Sequence, residues 1–594
     1  MNWLGDLNAQ QRAAVEAGDG PLMIVAGPGT GKTKTLTARI VYLLSSGRAQ
    51  PNQITALTFT NKAAREMRQR LTHLLFSRTG LENKGLPRVA TFHALGYELL
   101  SANQKNPLKF ATDEQRREII KALPKPQDLK GLSTRELAAG ISLFKTSLRP
   151  TPDDGMSRLV AGYNKVLARQ GLHDFDDLLA QTYQLLSQDP AVRTSLAATC
   201  QHLLIDEFQD TNDLQYALMK LLQEGSKNVF VIGDPLQSIY GFRGASGGIF
   251  ERFARDFPHG QSIALTTNYR SAPEIVSLSN AVFTDAPVLV PHQKVAGQVQ
   301  AVRVLNEYSE AGWIIAEIEN HLGGTTMLKG HDTDTAQQQT RQFSDYAVLY
   351  RTHRTARSLE QKLEESGIPY QIVGDDSPYE KPFIQTILQS LRYLAGGDVP
   401  VIKGLKEQQI KQLLADIPTV LLTETVHRII SKLGLDPPEE ADRRILTQFM
   451  NSLVRFEGVT LADYLAQVEA IGEQGFYDPQ AQAVTLLTIH AAKGLEFPHV
   501  FLIGAEEGLL PYLRTGKPTD VEEERRLFYV AVTRARQQLD ILYAKNRGGQ
   551  PAKPSRFIAA LSPDVLPRIT DPAMAAQQKR LHKKRLKRAQ QTLL

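Results

Sequence analysis

Short continuous apolar runs alternate along this chain with longer segments in which apolar residues recur every three or four positions. Runs of about five apolar residues fit strands buried on both faces of a parallel sheet, and the longer spacing fits helices packed over it. In the first half the predicted strands are Leu22-Met23-Ile24-Val25-Ala26, residues 54–59, a third edge at Val89-Ala90, Leu203-Leu204-Ile205 and residues 228–232. Helices are predicted over 7–15, over 34–44 and from Asn61 onward. Residues 95–199 read as mostly helical and rich in Lys, Arg and Gln, broken at Pro107, Pro124, Pro126, Pro150 and Pro152. The second half repeats the strand pattern at 299–305, 346–350, 370–373, 484–489, 500–503 and 539–543. A mainly helical stretch at 378–478 interrupts it, and the polar, repetitive residues 323–342 read as a surface loop. The class is therefore α/β, with helical insertions.

Composition adjusts this picture in three places. A length of 594 residues suggests about four domains, with 42% apolar and 22% charged residues, as in ordinary globular chains. No run approaches the ~18 apolar residues of a membrane span, and the first residues lack a basic-then-apolar leader, so a cytoplasmic protein is expected. The single cysteine, Cys200, excludes an internal disulfide and a cysteine metal cluster, and reads as a small core residue. A formal charge of +6 leans toward a polyanionic partner. Part of the excess is local: seven of the ten residues between Lys579 and Arg588 are Lys or Arg, a tail that reads either as a solvated end or as an extra contact to DNA or a protein partner.

The candidate chemistry begins where the first strand empties into Gly27-Pro28-Gly29-Thr30-Gly31-Lys32-Thr33. A strand, a glycine loop with Lys-Thr and a helix form a phosphate loop: backbone N–H groups turn toward phosphate oxygens, Lys32 adds charge toward the outer phosphates and the Thr33 hydroxyl can hold Mg²⁺. Upstream, Gln11 offers the donor and acceptor that an adenine edge requires. A second strand ends in Asp206-Glu207-Phe208-Gln209-Asp210, giving one carboxylate for Mg²⁺ and one to orient or deprotonate an attacking water. Two further strand ends, Phe59-Thr60-Asn61 and Thr91-Phe92-His93, pair hydroxyls with aromatics, as phosphate contact and base stacking along a single strand require. After residue 232 come Gln237, placed to sense a terminal phosphate, and Tyr240, Phe242 and Arg243 as a stacking and phosphate-binding platform. Asn268-Tyr269-Arg270 then supplies an arginine of the kind that stabilises a transferring phosphoryl group. Asp174-Phe175-Asp176-Asp177 reads as a helix start, not a metal cluster.

Taken in order, these residues resemble a superfamily 1 DNA helicase of the UvrD/Rep/PcrA family, whose phosphate loop also carries Ala where Ala26 stands. The resemblance implies two RecA-like P-loop-type motor domains, only the first with a phosphate loop, each with a mainly helical inserted subdomain. The expected boundaries are 1–94 with 200–262 for the first motor domain and 95–199 for its insertion. The second motor domain takes 263–377 with 479–570, its insertion 378–478, and 571–594 is a basic, disordered tail. The nucleotide site, for ATP and Mg²⁺, is expected to comprise Gln11, residues 26–33, Lys34, Arg39, Tyr269 and Glu496, with Glu496 on the ribose and Thr33 and Asp206 on the metal. Catalysis is expected from Lys32, Asp206, Glu207, Gln237, Arg270 and Arg534, the two arginines reaching the γ-phosphate from the second domain. DNA contacts are expected at Phe59, Thr60, Asn61, Thr91, Phe92, His93, Tyr240, Phe242, Arg243 and His490. Arg525, Arg526 and Arg536 read as a solvated helix face.

The resemblance further implies movement 3′ to 5′ on single-stranded DNA, engagement of single-strand/duplex junctions, a DNA-stimulated ATPase and a nucleoid-associated location. The family's second insertion is longer and carries a Gly-Ile-Gly element that grips duplex; Gly396-Gly397-Asp398 and Gly404 do not reproduce it. A motor that mainly displaces bound proteins therefore stands beside an unwinding enzyme. A non-hydrolysing scaffold is disfavoured because the full set of ATPase residues is present, and a nuclease fusion because no carboxylate cluster follows Arg536.

Overall fold

The computed structural model describes residues 2–78, 85–103, 107–148, 154–224, 228–241, 244–245, 247–322, 341–373, 381–397, 399–400, 402, 404–419, 421–453, 456, 458–470, 477–513, 516 and 518–575. They form two compact units: Met1–Ala296 with Asp520–Tyr529, and Gly297–Thr519 with Val530–Leu594. Among the described residues, no helix is long and apolar enough to cross a membrane. The polar loop expected at 323–342 and the basic tail between Lys579 and Arg588 lie outside the described residues, apart from Arg341 and Gln342.

Among the described residues of the first unit six parallel strands stand in the order β3-β2-β4-β5-β1-β6, with β1 (Leu22–Ala26), β2 (Ile54–Thr58), β3 (Arg88–Thr91), β4 (His202–Ile205), β5 (Asn228–Gly233) and β6 (Gln261–Leu265). Alternate residues of each run serve opposite faces, as a period of two dictates. Leu22, Ile24 and Ala26 join a core with α1 (Ala9–Glu16), α2 (Lys32–Ser45) and α3 (Asn61–Arg78). Met23 and Val25 face the other core, which includes side chains of α4 (Phe92–Asn103). Of the predicted helical insertion, α5 (Asp113–Ala122), α6 (Thr134–Thr146) and α7 (Gly155–Gln170) form a core of their own around Leu137, Ile141 and Tyr163. The rest departs from that reading: α8 (Phe175–Gln188) and α9 (Pro190–Thr199) give Leu179, Leu186 and Leu196 to the sheet's second core, together with α10 (Asp213–Leu222) and α11 (Ile249–Asp256). Cys200 is buried there, as a small core residue, with its Sγ 3.2 Å from the Thr55 hydroxyl.

The first unit also runs past residue 262, where the second motor domain was expected to begin. β6 pairs with β1 along its whole length, Ile24 opposite Ile263. The following β7 (Thr267–Asn268) and β8 (Val290–Pro291) pair with each other across α12 (Pro273–Val282) in the same unit. An apolar run announces a strand but not the sheet it joins; main-chain pairing with β1 decided that.

Among the described residues the second unit holds seven parallel strands in the order β11-β12-β10-β13-β14-β9-β17: β9 (Gln298–Val304), β10 (Tyr346–Tyr350), β11 (Tyr370–Val373), β12 (Val484–Thr488), β13 (Phe497–Leu502), β14 (Ala535–Ala544) and β17 (Arg568–Thr570). A hairpin of β15 (Asn546–Arg547) and β16 (Gln550–Pro551) follows β14. Here β9 holds the place that β1 has in the first sheet, with one later strand on each side. No phosphate loop follows it. The next helix, α13 (Glu307–His321), is capped by the Asn306 side chain and starts with Glu307 and Glu310. Buried Glu310 accepts from Gly504 N at 3.1 Å and from both terminal nitrogens of Arg547 at 2.8 and 2.9 Å, and Arg547 also holds buried Glu506 at 2.7 Å. Protein carboxylates thus occupy the helix start, where a phosphate would be repelled. Among the described residues the second insertion, after α14 (His353–Ser366), has five helices, α15 (Pro382–Leu394), α16 (Glu407–Leu414), α17 (Leu422–Leu433), α18 (Glu440–Leu453) and α19 (Leu461–Ala470), around Ile384, Leu391, Phe449 and Tyr464.

Candidate nucleotide and nucleic-acid site

The phosphate loop is built as its glycines require. Gly29 and Gly31 take φ of +68° and +83°, a left-handed conformation that costs other residues ~1–2 kcal/mol. A Cβ on Gly29 would lie 2.7 Å from Cβ of Arg270, and one on Gly31 2.8 Å from Nε2 of Gln11. The Thr30 hydroxyl closes the loop on Gly27 O at 2.8 Å. Gly31 caps α2 without a side-chain bond to its first turn, so that turn presents amides and the positive end of the helix dipole, a place for an anion. Lys32 Nζ donates to the carbonyls of Ala26 and Gly27 at 3.2 and 3.3 Å, and half-buried Thr33 follows it. Lys34 Nζ donates to Asp6 O at 2.6 Å.

Carboxylates arrive from the ends of β4 and β5. Buried Asp206 is pushed up to about 7 by burial first and the neighbouring Glu207 charge next, against the pull of Lys32. Burial also raises Asp234, which sequence reasoning had passed over. Glu207, at φ +50°, is the one non-glycine residue with positive φ among the described residues, a strained backbone of the kind that concentrates at functional sites. Gln209 ties the group together: its Nε2 donates to Glu207 Oε2, and its Oε1 accepts from Asp234 N at 2.9 Å. Gln237 Nε2 donates to Asp234 Oδ2 at 2.8 Å. Ser238 Oγ donates to Gln209 O at 3.1 Å, and Arg526 Nε to Ser238 O at 2.7 Å. Arg526 is therefore not on a purely solvated face; a helix pattern shows which side a residue takes but not what a distant loop offers it.

The third side is the segment after β6. Asn268 Nδ2 donates to Pro28 O at 2.9 Å, while its Oδ1 accepts from the amides of Arg270 and Ser271, each at 2.9 Å. Tyr269 N donates to Gly29 O at 2.9 Å, and its hydroxyl accepts from Asn8 Nδ2 at 2.8 Å. Gln11 Nε2 donates to Thr30 O at 2.9 Å, and Gln10 bonds Thr266. Residues 8–11, the phosphate loop and 266–271 thus form one hydrogen-bonded block. Arg270 belongs to it, in the unit that carries the phosphate loop, and not to the second domain as expected. Arg39 donates to the carbonyls of Val15, Ala17 and Gly18 at 2.8, 2.6 and 3.1 Å, and burial lowers it to about 10. Its guanidinium here holds the end of α1.

A family model described as the UvrD/REP helicase N-terminal domain matches residues 7–258, and one described as the UvrD-like helicase C-terminal domain matches 263–419 and 442–546. The chain belongs to the UvrD/Rep helicase family. It is similar to proteins named ATP-dependent DNA helicase PcrA: 31% identical to that of Staphylococcus epidermidis, over 94% of this chain and 87% of the relative. The figures are 31%, 94% and 85% for Leuconostoc citreum, and 30%, 95% and 87% for Staphylococcus aureus. As a member of the UvrD/Rep family, this protein is an ATP-dependent DNA helicase with two RecA-like domains.

The residues that this UvrD/Rep helicase was expected to turn toward DNA differ in how far they reach the surface. Phe59 and Tyr240, both half-buried, stack with centroids 5.3 Å apart and planes 14° off parallel. Exposed Thr60 accepts from Ala63 N at 3.1 Å and exposed Asn61 opens α3. Buried Thr91 caps α4, accepting from Ala94 N at 3.1 Å, with Asn61 Oδ1 3.5 Å from its hydroxyl. Phe92 is a correction: only 6% exposed, it packs in the core with Leu95 and Leu179, because the first position of α4 faces the sheet. His93 keeps a surface edge and stacks on Phe175, centroids 4.5 Å and 24° apart; burial holds its imidazole down to about 4. Phe175, 57% exposed at the start of α8, is an aromatic that sequence reasoning missed. The signal was a large aromatic inside the Asp-rich helix start, where Asp174 caps the helix and pairs with Lys145 at 2.8 Å. Phe242 and Arg243 lie outside the described residues.

In the second unit Arg534 is buried. Its Nε donates to Val530 O, Nη1 to Leu495 O and Nη2 to Thr533 Oγ1, each at 3.0 Å. Glu496 pairs with Arg536, which sits on β14 and not on a helix. His490 is half-buried in the turn after β12, its carbonyl accepting from Lys493 N at 3.2 Å.

Proposed function

We propose that this helicase moves 3′ to 5′ along single-stranded DNA and opens duplex at junctions, as part of DNA repair, replication or recombination. The observation that carries the proposal is the continuity of residues 234–240. At one end Asp234 and Gln237 are bonded to each other and, through Gln209, to Glu207; at the other Tyr240 stacks on Phe59. A change at the phosphates is thereby passed along a short hydrogen-bonded segment to the stacking pair, which grips bases without sequence preference at ~1–3 kcal/mol each.

In this reading Lys32 and the first-turn amides of α2 bind the phosphates, Glu207 positions water, Gln237 senses the terminal phosphate, and Arg270 and Arg534 stabilise developing charge. Gln11 reads the adenine edge, Glu496 holds the ribose, and Lys34, Arg39 and Tyr269 complete the nucleotide site. Mg²⁺ fits the donor set: Thr33 and Asp206 would hold it, and when bound it supplies charge neutralisation on the phosphates. Among the described residues no three His, Cys, Asp or Glu side chains gather at ligating geometry, so such an ion would rely on Thr33, Asp206 and phosphate oxygens.

Strand displacement on 3′-tailed, 5′-tailed and blunt duplexes tests the proposal. Unwinding of the 3′-tailed substrate alone is expected, and a preference for the 5′ tail would overturn the polarity. The short second insertion without a Gly-Ile-Gly element favours one further reading, a motor that mainly strips bound proteins from single strands; streptavidin release from a biotinylated strand without duplex opening would support it.

A further inference from the structure

The helix that leaves the stacking pair has an outer face that the ATPase and the aromatic platform do not use. α3 starts two residues after Phe59 and buries Ala64, Met67, Leu71 and Leu75 against the first sheet. Its other face carries Arg65, Arg68, Gln69, Thr72, His73 and Phe76, which together line an open concavity of about 510 Å³. From Arg65 to Phe76 this face runs ~16 Å at 1.5 Å per residue. The helix holds Lys62, Arg65, Arg68, Arg70 and Arg78 against the single acid Glu66. At its far end Phe76 is 45% exposed, a large aromatic that the core leaves in solvent.

We propose that this face of α3 is a second grip on the same single strand, with Arg65 and Arg68 on consecutive phosphates and Phe76 stacked on a base beyond them. The proposal rests on the reading of Phe59 and Tyr240 as the strand's first platform, since Thr60 and Asn61 join that platform to α3 without a break. Charge selects the phosphodiester backbone. The exposed ring selects a single strand over a duplex, because paired bases inside a helix offer no open face to stack on.

The test uses the full chain and the anisotropy of labelled oligothymidylates of about 4 and about 25 nucleotides, the shorter too short to run the length of the α3 face and the longer able to reach past it. For R65A/R68A on the longer strand, the slope of log affinity against log salt should become shallower by about 1.4, two phosphates at ~0.7 each. F76A should weaken the longer strand about tenfold with the slope unchanged. Binding of the shorter strand, DNA-independent ATP hydrolysis and the melting temperature should match the wild type. Equal losses on both lengths, an unchanged slope, or an equal loss on a blunt duplex would each overturn the second grip. If the wild type itself fails to bind the shorter strand, the Phe59–Tyr240 platform falls, and the second grip with it.

Discussion

Asn268→Ala offers the sharpest test of how the phosphate loop and its arginine are held together. The side chain is 2% exposed and makes three hydrogen bonds of 2.9 Å, to Pro28 O and from the amides of Arg270 and Ser271. At ~1 kcal/mol each, more where a buried partner loses its only acceptor, truncation removes ~3 kcal/mol of local order. If all of that order serves to fix Arg270, hydrolysis slows by at most about 10²-fold, at ~1.4 kcal/mol per tenfold. Removing the guanidinium outright with Arg270→Ala should cost ~10³-fold or more, the usual worth of such an arginine. The assay is steady-state ATP hydrolysis at saturating single-stranded DNA, with kcat and KM for ATP separated and melting temperatures recorded alongside. Asn268→Ala should lower kcat ten- to a hundredfold, and the double variant should be no worse than Arg270→Ala alone, because the asparagine acts through the arginine. A kcat within threefold of wild type, or additive losses in the double variant, would refute the coupling.

Lys32→Ala should abolish ATP hydrolysis, and wild-type turnover should rise strongly with single-stranded DNA; equal rates with and without DNA would count against a coupled motor. Phe59→Ala and Tyr240→Ala should each weaken oligothymidylate binding by ~1–3 kcal/mol at unchanged melting temperature. Phe92→Ala should do the reverse, destabilising the first unit by ~3–5 kcal/mol as a core truncation while sparing intrinsic affinity, which thermal melts and anisotropy together distinguish. Glu506, pushed up to about 7 by burial and the Glu310 charge, contributes stability that is full below about pH 4.5, the ordinary glutamate range, and lost as pH rises toward 7. The second unit should therefore melt lower at pH 8 than at pH 5.5, and Glu506→Gln should flatten that difference; an identical pH dependence in the variant would show that the carboxyl does not carry it.

The strands, the phosphate loop and the Asp206–Glu207 pair were legible because each is local. A buried parallel strand must be apolar throughout, a phosphate loop needs glycines at fixed offsets, and a helix start marks itself with a capping acid, as Asp174 does. Long-range placement was not legible. That β6 joins β1, carrying Arg270 into the unit of the phosphate loop, followed from main-chain pairing between segments more than 200 residues apart. That Phe92 turns inward while Phe59 meets Tyr240 depended on which apolar surfaces the fold packed together, and that Gln209, Asp234 and Asn268 knit the site depended on which polar groups it brought within 3 Å. Local spacing fixes what an element is; only burial and hydrogen-bond satisfaction across the assembled sheets fix what its side chains touch, and so which of them are left for a ligand.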